Sequence, residues 1–272
     1  MPADIWIHPG TTEVGTAVAD RVSHHLAAAA GRGERCVLGW PAGRTPLPVL
    51  DALAERAREG RLDLSHAAFA MMDEYVLDDG AGWRAVSSEA HYSCLGFARR
   101  EIADRLNAAL PPGRRLPADA VWAADPADPQ GYEERLAEGA GVAFFLVALG
   151  AGDGHVAFNP PGTALDSRTR VVALAETTRR DNLATFPGFR ALDEVPAHGV
   201  SVGLGTILRA GELAVVAHGE GKREAVRRTL SGPRTFTPDW PAGFVHTHPR
   251  HAFHLDRAAA GDLAPESACA AS

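Results

Sequence analysis

The sequence is poor in cysteine and has no long apolar run. It contains 3 cysteines among 272 residues, none of them in a Cys-x-x-Cys spacing: Cys36, Cys94 and Cys269. Their odd number and spacing argue against a disulfide framework and a thiolate metal site, so we expect reduced packing residues. No segment approaches the roughly 18 apolar residues that span a bilayer. The first residues also lack the basic start and apolar run of a signal peptide, so we expect a cytoplasmic protein without a membrane partner.

Positive charge is also in short supply. The 27 basic residues are outnumbered by 34 acidic ones, and the formal net charge is -7. Because duplex binding needs clustered positive charge, this balance argues against a broad nucleic-acid surface. An anionic ligand would have to be held by a few local cations.

Short apolar runs alternate with segments that have helical spacing. The runs typical of buried strands cover residues 4–8, 36–39, 67–72, 141–150, 200–204 and 213–218. One helical face is formed by Val14, Val18, Val22 and Leu26. A second, basic helix is predicted over residues 222–230. This alternation predicts an α/β fold with a mostly parallel, Rossmann-like sheet, in which ligands bind at the carboxyl ends of the strands.

No internal repeat and no convincing linker divides the chain. We therefore predict one domain over residues 1–256. The last residues, 257–272, are rich in alanine and are predicted to form a disordered tail.

The loop after the second predicted strand has features of an anion site. Residues 37–46 run from an apolar strand into a helix, for which Thr45 is a good N-cap and Pro46 a good first residue. The free amides of a helix N-terminus attract phosphate, Gly43 lets an anion approach the backbone, and Arg44 adds a positive charge. The alternative is an ordinary strand-to-helix turn, where glycine, threonine and proline are also common.

Two acidic motifs follow apolar runs. Asp73 and Glu74 come directly after residues 67–72, which places Asp73 at the carboxyl end of a strand, where a carboxylate can act as a general base. The alternative is that this pair begins a solvated loop. Farther along, a glycine-rich loop contains Asp153 and His155. A histidine has a pKa near 6.5, and a neighbouring carboxylate can orient it for proton transfer, although a lone histidine is more often structural.

Taken together, these segments resemble the glucosamine-6-phosphate deaminase and isomerase family, which is related to the 6-phosphogluconolactonases. The resemblance runs from about residue 37 to residue 256. Its motifs occur in the family's order: the loop after the second strand, Met72-Asp73-Glu74-Tyr75, Asp153-Gly154-His155-Val156-Ala157-Phe158-Asn159, Ser167-Arg168-Thr169-Arg170, Val202-Gly203-Leu204-Gly205-Thr206 and Gly219-Glu220-Gly221-Lys222. The Asp-Glu-Tyr and Phe-Asn sequences favour the deaminase branch over the lactonase branch.

The resemblance implies a three-layer α/β/α fold and conversion of an amino-sugar phosphate to a ketose phosphate with loss of ammonia, without metal or other cofactor. It implies that Asp73 moves a proton between C2 and C1, and that His155, held by Asp153, assists ring opening. The sugar phosphate would be bound by the loop and by a late lysine: Ala42, Gly43, Arg44, Thr45 and Lys222. The number of subunits is left open, a homo-oligomer included.

Three departures from the family pattern touch the predicted pocket. Pro160 stands where the family has a glutamate that completes the ring-opening group. Ala184 stands where the family has a phosphate-binding arginine, and Arg44, where the family has a small residue, could replace that charge. The glycine loop before Asp153 is one residue shorter. These departures leave two alternatives open, a sugar-phosphate lactonase and a sugar-phosphate-binding regulator without catalysis.

Four closely spaced histidines near the end of the sequence could suggest a metal site: His246, His248, His251 and His254. They form no helical His-x-x-x-His pair and have no cysteine partner. We therefore interpret them as structural or pocket-lining residues, with His248 in a connecting segment, and expect no metal.

Overall fold

The computed structural model describes residues 4–150, 152–232 and 235–263. Its strands are β1 (Asp4–His8), β2 (Cys36–Trp40), β3 (Ala67–Met71), β4 (Asp73–Asp78), β5 (Trp83–Ala85), β6 (Val121–Trp122), β7 (Val142–Ala148), β8 (Arg170–Ala173), β9 (His198–Ser201), β10 (Leu213–Ala217) and β11 (His251–Asp256). Its α-helices are α1 (Thr11–Arg32), α2 (Leu47–Arg58), α3 (Cys94–Phe97), α4 (Arg105–Ala109), α5 (Pro129–Ala137), α6 (Glu176–Thr185), α7 (Leu204–Ile207), α8 (Arg223–Ser231) and α9 (Arg257–Ala260).

Seven of these strands form the central sheet, in the order β1-β11-β10-β7-β2-β3-β6. Every pairing in this sheet is parallel, and helices flank it to give the predicted three-layer α/β/α fold. The middle strands β2, β3 and β10 are buried along their whole length. This burial explains why they are continuous apolar runs in the sequence, since helices cover both faces of a parallel sheet.

The first long helix also follows its sequence pattern. Val14, Val18 and Val22 on one face of α1 are completely buried. The helix ends at Gly33, whose φ of 67° is the left-handed conformation that terminates many helices and favours glycine.

A second, antiparallel sheet in the order β5-β4-β9-β8 was not predicted. The apolar run at residues 200–204, interpreted as a strand that continued the α/β alternation, contributes only its first residues to a strand. That strand, β9, pairs with β4 and β8 rather than with the central sheet. A short apolar run shows that a strand is buried but does not identify its partner.

The C-terminal region is more ordered than predicted. β11 lies between β1 and β10 in the central sheet, and α9 occupies the first residues of the segment predicted as a disordered tail, so that prediction is wrong for residues 257–260. Asp256 joins the two elements, because its side chain accepts hydrogen bonds from Ala259 N at 2.7 Å and from Gly219 N at 3.0 Å. The rest of the predicted tail from residue 264 lies outside the described residues.

No helix among the described residues is long and apolar enough to cross a membrane.

Candidate active site

A cavity of about 450 Å³ lies at the carboxyl ends of β2, β3, β7 and β10. Seven of the eight predicted site residues line it: Ala42, Gly43, Arg44, Thr45, Asp73, His155 and Lys222. The eighth, Asp153, is hydrogen-bonded to His155. The four strands are neighbours in the sheet, so the loops that follow them converge on one place.

The loop after β2 forms one wall of the cavity. Gly43 has a φ of 84°, a conformation that residues with a side chain rarely adopt. Apart from its two chain neighbours, no atom of the described residues lies within 4 Å of the position that its Cβ would take. The backbone conformation at position 43, and not a lack of space for a side chain, therefore favours glycine. The prediction of Thr45 as N-cap is wrong, because α2 begins at Leu47, with Pro46 at the cap position and no side-chain capping bond. The turn at Thr45 and Pro46 delays the helix by one residue, and the Thr45 carbonyl lies 3.3 Å from His218 Nε2.

Asp73 lies at the junction of β3 and β4 and faces the cavity. Burial raises the pKa of its carboxyl to about 7, while a hydrogen bond from Cys94 and the positive field of His155 act in the opposite direction. The neighbouring Glu74 is 1 % exposed and accepts hydrogen bonds from the Tyr75, Cys94 and Leu95 amides. The alternative of a solvated loop is therefore wrong, since both carboxylates belong to the start of a buried strand.

Asp153 and His155 form a hydrogen-bonded pair in the loop after β7. The Asp153 Oδ1 atom lies 2.7 Å from His155 Nδ1 and accepts the His155 amide at 3.0 Å. Burial alone would raise the pKa of Asp153, but its bonds with His155 and Thr177 hold that pKa well below the usual range. The carboxylate therefore stays ionised and fixes the ring through Nδ1, so Nε2 is the nitrogen left for proton exchange.

Gly150 gives the His155 ring its space. A Cβ at Gly150 would lie 2.4 Å from His155 Nδ1, well inside contact distance. The amide of Gly150 also donates to the His155 carbonyl at 2.9 Å. Gly150 thus has a packing role beside the histidine, and Gly154, with a φ of 70°, has a conformational one.

Lys222 lies in the turn between β10 and α8 and is largely buried beside the cavity. Its Nζ atom donates to the Leu149 carbonyl at 2.6 Å. Burial lowers the pKa of Lys222; the Asp181 carboxylate raises it and the Arg44 guanidinium lowers it. Two cations, Arg44 and Lys222, therefore lie close enough to influence each other, which is the arrangement an anionic group would stabilise.

Three residues that line the cavity or contact its histidine were not predicted as site residues. Cys94, predicted as a packing residue, touches Asp73, and the Thr178 hydroxyl lies 3.2 Å from His155 Nδ1. Asn182 lines the cavity, and its buried Nδ2 has no hydrogen-bond partner among the described residues. Nothing in the sequence connects Cys94 to Asp73. Both Cys36 and Cys94 are free and buried, as predicted.

The two substituted family positions differ in location. Ala184 lines the cavity, so the absence of an arginine there changes the wall directly. Pro160 is not among the residues that line it, and the Pro160 carbonyl accepts the Thr163 hydroxyl at 2.7 Å.

The C-terminal histidines lie elsewhere, around a second cavity of about 930 Å³. His248 lies in a connection and its Nε2 contacts the Ala210 carbonyl at 2.8 Å, while His251 and His254 belong to β11. His254 Nδ1 lies 3.3 Å from His8 Nε2. Over the described ranges, no group of three or more histidine, cysteine, aspartate or glutamate side chains is placed to hold a metal ion.

Comparison with known proteins agrees with this architecture. The sequence profile of the family described as glucosamine-6-phosphate isomerases/6-phosphogluconolactonase matches residues 9–253. A glucosamine-6-phosphate deaminase of Streptomyces avermitilis is 37% identical over 266 residues, covering 96% of this chain and 92% of that protein. A glucosamine-6-phosphate deaminase of Rhodococcus opacus is 37% identical over 260 residues, with the same coverage of 96% and 92%.

Solved structures share the fold. A monomeric glucosamine-6-phosphate deaminase superposes with a TM-score of 0.79 at 25% identity, covering 94% of this chain and 98% of that one. The 6-phosphogluconolactonase of Trypanosoma cruzi shares the fold, with a TM-score of 0.67 at 18% identity over 96% of this chain and 97% of that one. The chain belongs to the glucosamine-6-phosphate isomerase/6-phosphogluconolactonase family.

Proposed function

We propose that this chain is an enzyme that converts glucosamine-6-phosphate, or a close sugar phosphate, to fructose-6-phosphate and ammonia. The observation that carries the proposal is the meeting, in one cavity, of three chemical functions. These are a carboxyl with a pKa of about 7, a histidine held by an ionised carboxylate, and a pair of cations: Asp73, His155 with Asp153, and Arg44 with Lys222. The names of the relatives support the same substrate and reaction.

The phosphate is assigned to the wall formed by the loop after β2 and by Lys222. Arg44 and Lys222 supply positive charge, and Gly43 leaves open space beside the backbone. The Asn182 amide, which lacks a partner among the described residues, supplies a further donor on the same cavity. Binding the phosphate here leaves the sugar ring to extend toward Asp73 and His155.

The chemistry requires ring opening and then a proton transfer between neighbouring carbons. His155 moves protons between the ring oxygen and O1 through Nε2, because its Nδ1 is held by Asp153. Asp73 then removes the proton on C2, and the electrons form a C1–C2 double bond while O1 gains a proton. Return of a proton to C1 leaves an imine at C2, and water replaces its nitrogen to release ammonia.

Asp73 suits this role because of its pKa. A carboxyl with a pKa of about 7 is a stronger base than an ordinary aspartate, yet a large fraction of it is ionised at neutral pH. The field of His155 favours the ionised form.

The direct test is incubation of the purified protein with glucosamine-6-phosphate, followed by assay of ammonia and fructose-6-phosphate. Equimolar release of both is expected. Absence of product from a protein that still binds the substrate would contradict the proposed reaction.

The base is tested with Asp73→Asn, which keeps the shape of the side chain but removes its basicity. Turnover and exchange of the C2 proton with solvent deuterium should both fall, by about a hundredfold to ten-thousandfold. Asp78→Asn is the matched control, because Asp78 is exposed at the far end of the same strand. Unchanged C2 exchange in Asp73→Asn would remove Asp73 from the role.

Hydrolysis of 6-phosphogluconolactone is the second candidate. It is favoured by one observation: the Asp153–His155 pair is intact, while position 160, a proline, offers no further carboxylate. A lactone needs a histidine to activate water but no base for a carbon-bound proton. This reaction would be supported if the protein hydrolysed the lactone and Asp73→Asn left the rate unchanged. It would be excluded if the lactone hydrolysed no faster with the protein than without it.

A further inference from the structure

Cys94 is in direct contact with the proposed base. Its Sγ atom lies 3.3 Å from Asp73 Oδ1, within hydrogen-bond distance for sulfur. The residue is 3 % exposed and lines the same cavity as Asp73. A thiol is a weak donor and the carboxylate oxygen is an acceptor, so the hydrogen bond runs from Cys94 to Asp73.

The position of this thiol is fixed by the residue that follows Asp73 in the sequence. The Glu74 carboxylate accepts the Cys94 amide at 3.0 Å and the Leu95 amide at 2.8 Å. It also accepts the Ser93 hydroxyl at 2.8 Å. These bonds tie the first turn of α3 to the beginning of β4, which is where Asp73 lies. The thiol and the carboxylate therefore keep their separation as one rigid unit.

We propose that Cys94 is a positioning residue for Asp73. Its thiol donates a hydrogen bond to Asp73 Oδ1 and so fixes the orientation of the carboxylate. Asp73 Oδ2 is then the atom that exchanges the proton with the substrate carbon. This inference rests on the proposed function of the site, since it assigns a partner to the same base.

The thiol stays protonated in this position. Burial and the negative charges of Asp73 and Glu74 hold the pKa of Cys94 well above its usual value. Cys94 is therefore a permanent donor over the pH range in which Asp73 titrates.

The hydrogen bond also tunes the base. A donor to the ionised form of a carboxyl lowers its pKa, so removal of the thiol should raise the pKa of Asp73 further. Several other titratable groups also act on Asp73: Glu74 and Tyr75 on β4, His155 after β7 and Tyr132 on α5. A substitution of Cys94 in α3 leaves all of these groups in place.

The test is the pH dependence of kcat/KM in Cys94→Ala, Cys94→Ser and a control, Cys36→Ala. Cys36 is also a buried free cysteine, but it lies in β2 and does not line the cavity. Cys94→Ala should shift the acidic limb of the profile to higher pH by about one unit. At pH values below the limb, kcat/KM should therefore fall by up to about tenfold. The loss should fall on kcat rather than KM, and Cys94→Ser should restore at least half of the displacement. In Cys36→Ala, the acidic limb should lie at the same pH as in the wild-type protein.

A second measurement does not depend on turnover. The Asp73 carboxyl is titrated by carbon-13 NMR in the substrate-free protein, with Asp73→Asn identifying its signal. A higher midpoint in Cys94→Ala than in Cys36→Ala supports the proposal even if the protein proves inactive on glucosamine-6-phosphate. Equal midpoints in the two variants, or the same midpoint in Cys94→Ala and Cys94→Ser, would overturn it.

Discussion

Lys222 is the only lysine in the sequence, and its replacement by methionine separates binding from stability. Two unit charges 4 Å apart interact by about 4 kcal/mol at the effective dielectric constant of a protein surface. Arg44 remains in Lys222→Met and water enters the open cavity, so we expect a loss of about 2 to 3 kcal/mol in substrate binding. Because tenfold corresponds to about 1.4 kcal/mol, KM should rise about 30- to 150-fold.

The same substitution should leave kcat and stability nearly unchanged. The phosphate does not react, so its binding energy is shared by the ground state and the transition state, and kcat should change little. Methionine cannot donate to the Leu149 carbonyl, and a hydrogen bond made by a charged group is worth about 1.5 to 3 kcal/mol of folding stability. Burial disfavours the charged form of Lys222, so removal of the buried charge offsets the missing hydrogen bond.

The assay is steady-state kinetics on glucosamine-6-phosphate at constant ionic strength, with urea unfolding of the same samples. Arg227→Met is the control, because Arg227 is exposed on α8 and pairs with Glu224 on the surface. An unchanged KM in Lys222→Met, or a KM that rises equally in Arg227→Met, would refute the placement of the phosphate. The single lysine permits a chemical check as well: acetylation should add one side-chain label and inactivate the protein, and inorganic phosphate should protect it.

Two further predictions concern histidines. Gly150→Ala should lower kcat at least about tenfold, because the new Cβ would lie 2.4 Å from His155 Nδ1 and displace the ring. Turnover measurements test this, and a kcat equal to that of the wild-type protein would contradict the packing role of Gly150. Burial lowers the pKa of His254 to about 4. The unfolded chain therefore takes up a proton near pH 6.5 that the folded protein does not. Folding stability should fall by about 3 kcal/mol as the pH drops from 6.5 to 4. Urea unfolding at both pH values should show a smaller fall in His254→Phe, and an equal fall would contradict the assignment.

Five of the seven strands of the central sheet were predictable because their sequence signal is local, whereas the two-residue strand β6 and the strand β11 were not predicted. A strand buried on both faces must be apolar throughout, as β2, β3 and β10 are. β11 was missed because it contains two histidines and an aspartate, and its burial depends on long-range pairing with β1 and β10. Only tertiary contacts explain these polar residues: His254 lies beside His8, and Asp256 caps α9.

The same distinction applies to the cavity. Asp73, His155 and Lys222 each follow the end of a parallel strand, and the edge where those ends meet was predicted from the alternation of strands and helices. Cys94 reaches the cavity from α3 instead, and Thr178 contacts His155 from α6. The placement of α3 depends on the bonds to Glu74, which connect residues about twenty positions apart. No local pattern in the sequence encodes such a bond.

The order of the strands explains why the cavity lies where it does. In the sequence the sheet grows from β2 through β3 to β6, and then β7 returns to the other side of β2 and is followed outward by β10 and β11. The loops after β2 and β7 therefore diverge, and a crevice opens between them. The proposed functional groups all follow the four strands at this crevice: Lys222 after β10, His155 after β7, the loop proposed to bind the phosphate after β2, and Asp73 after β3. The fold thus dictates the convergence of these groups, while the contacts of Cys94, Thr178 and Gly150 determine how precisely each is held.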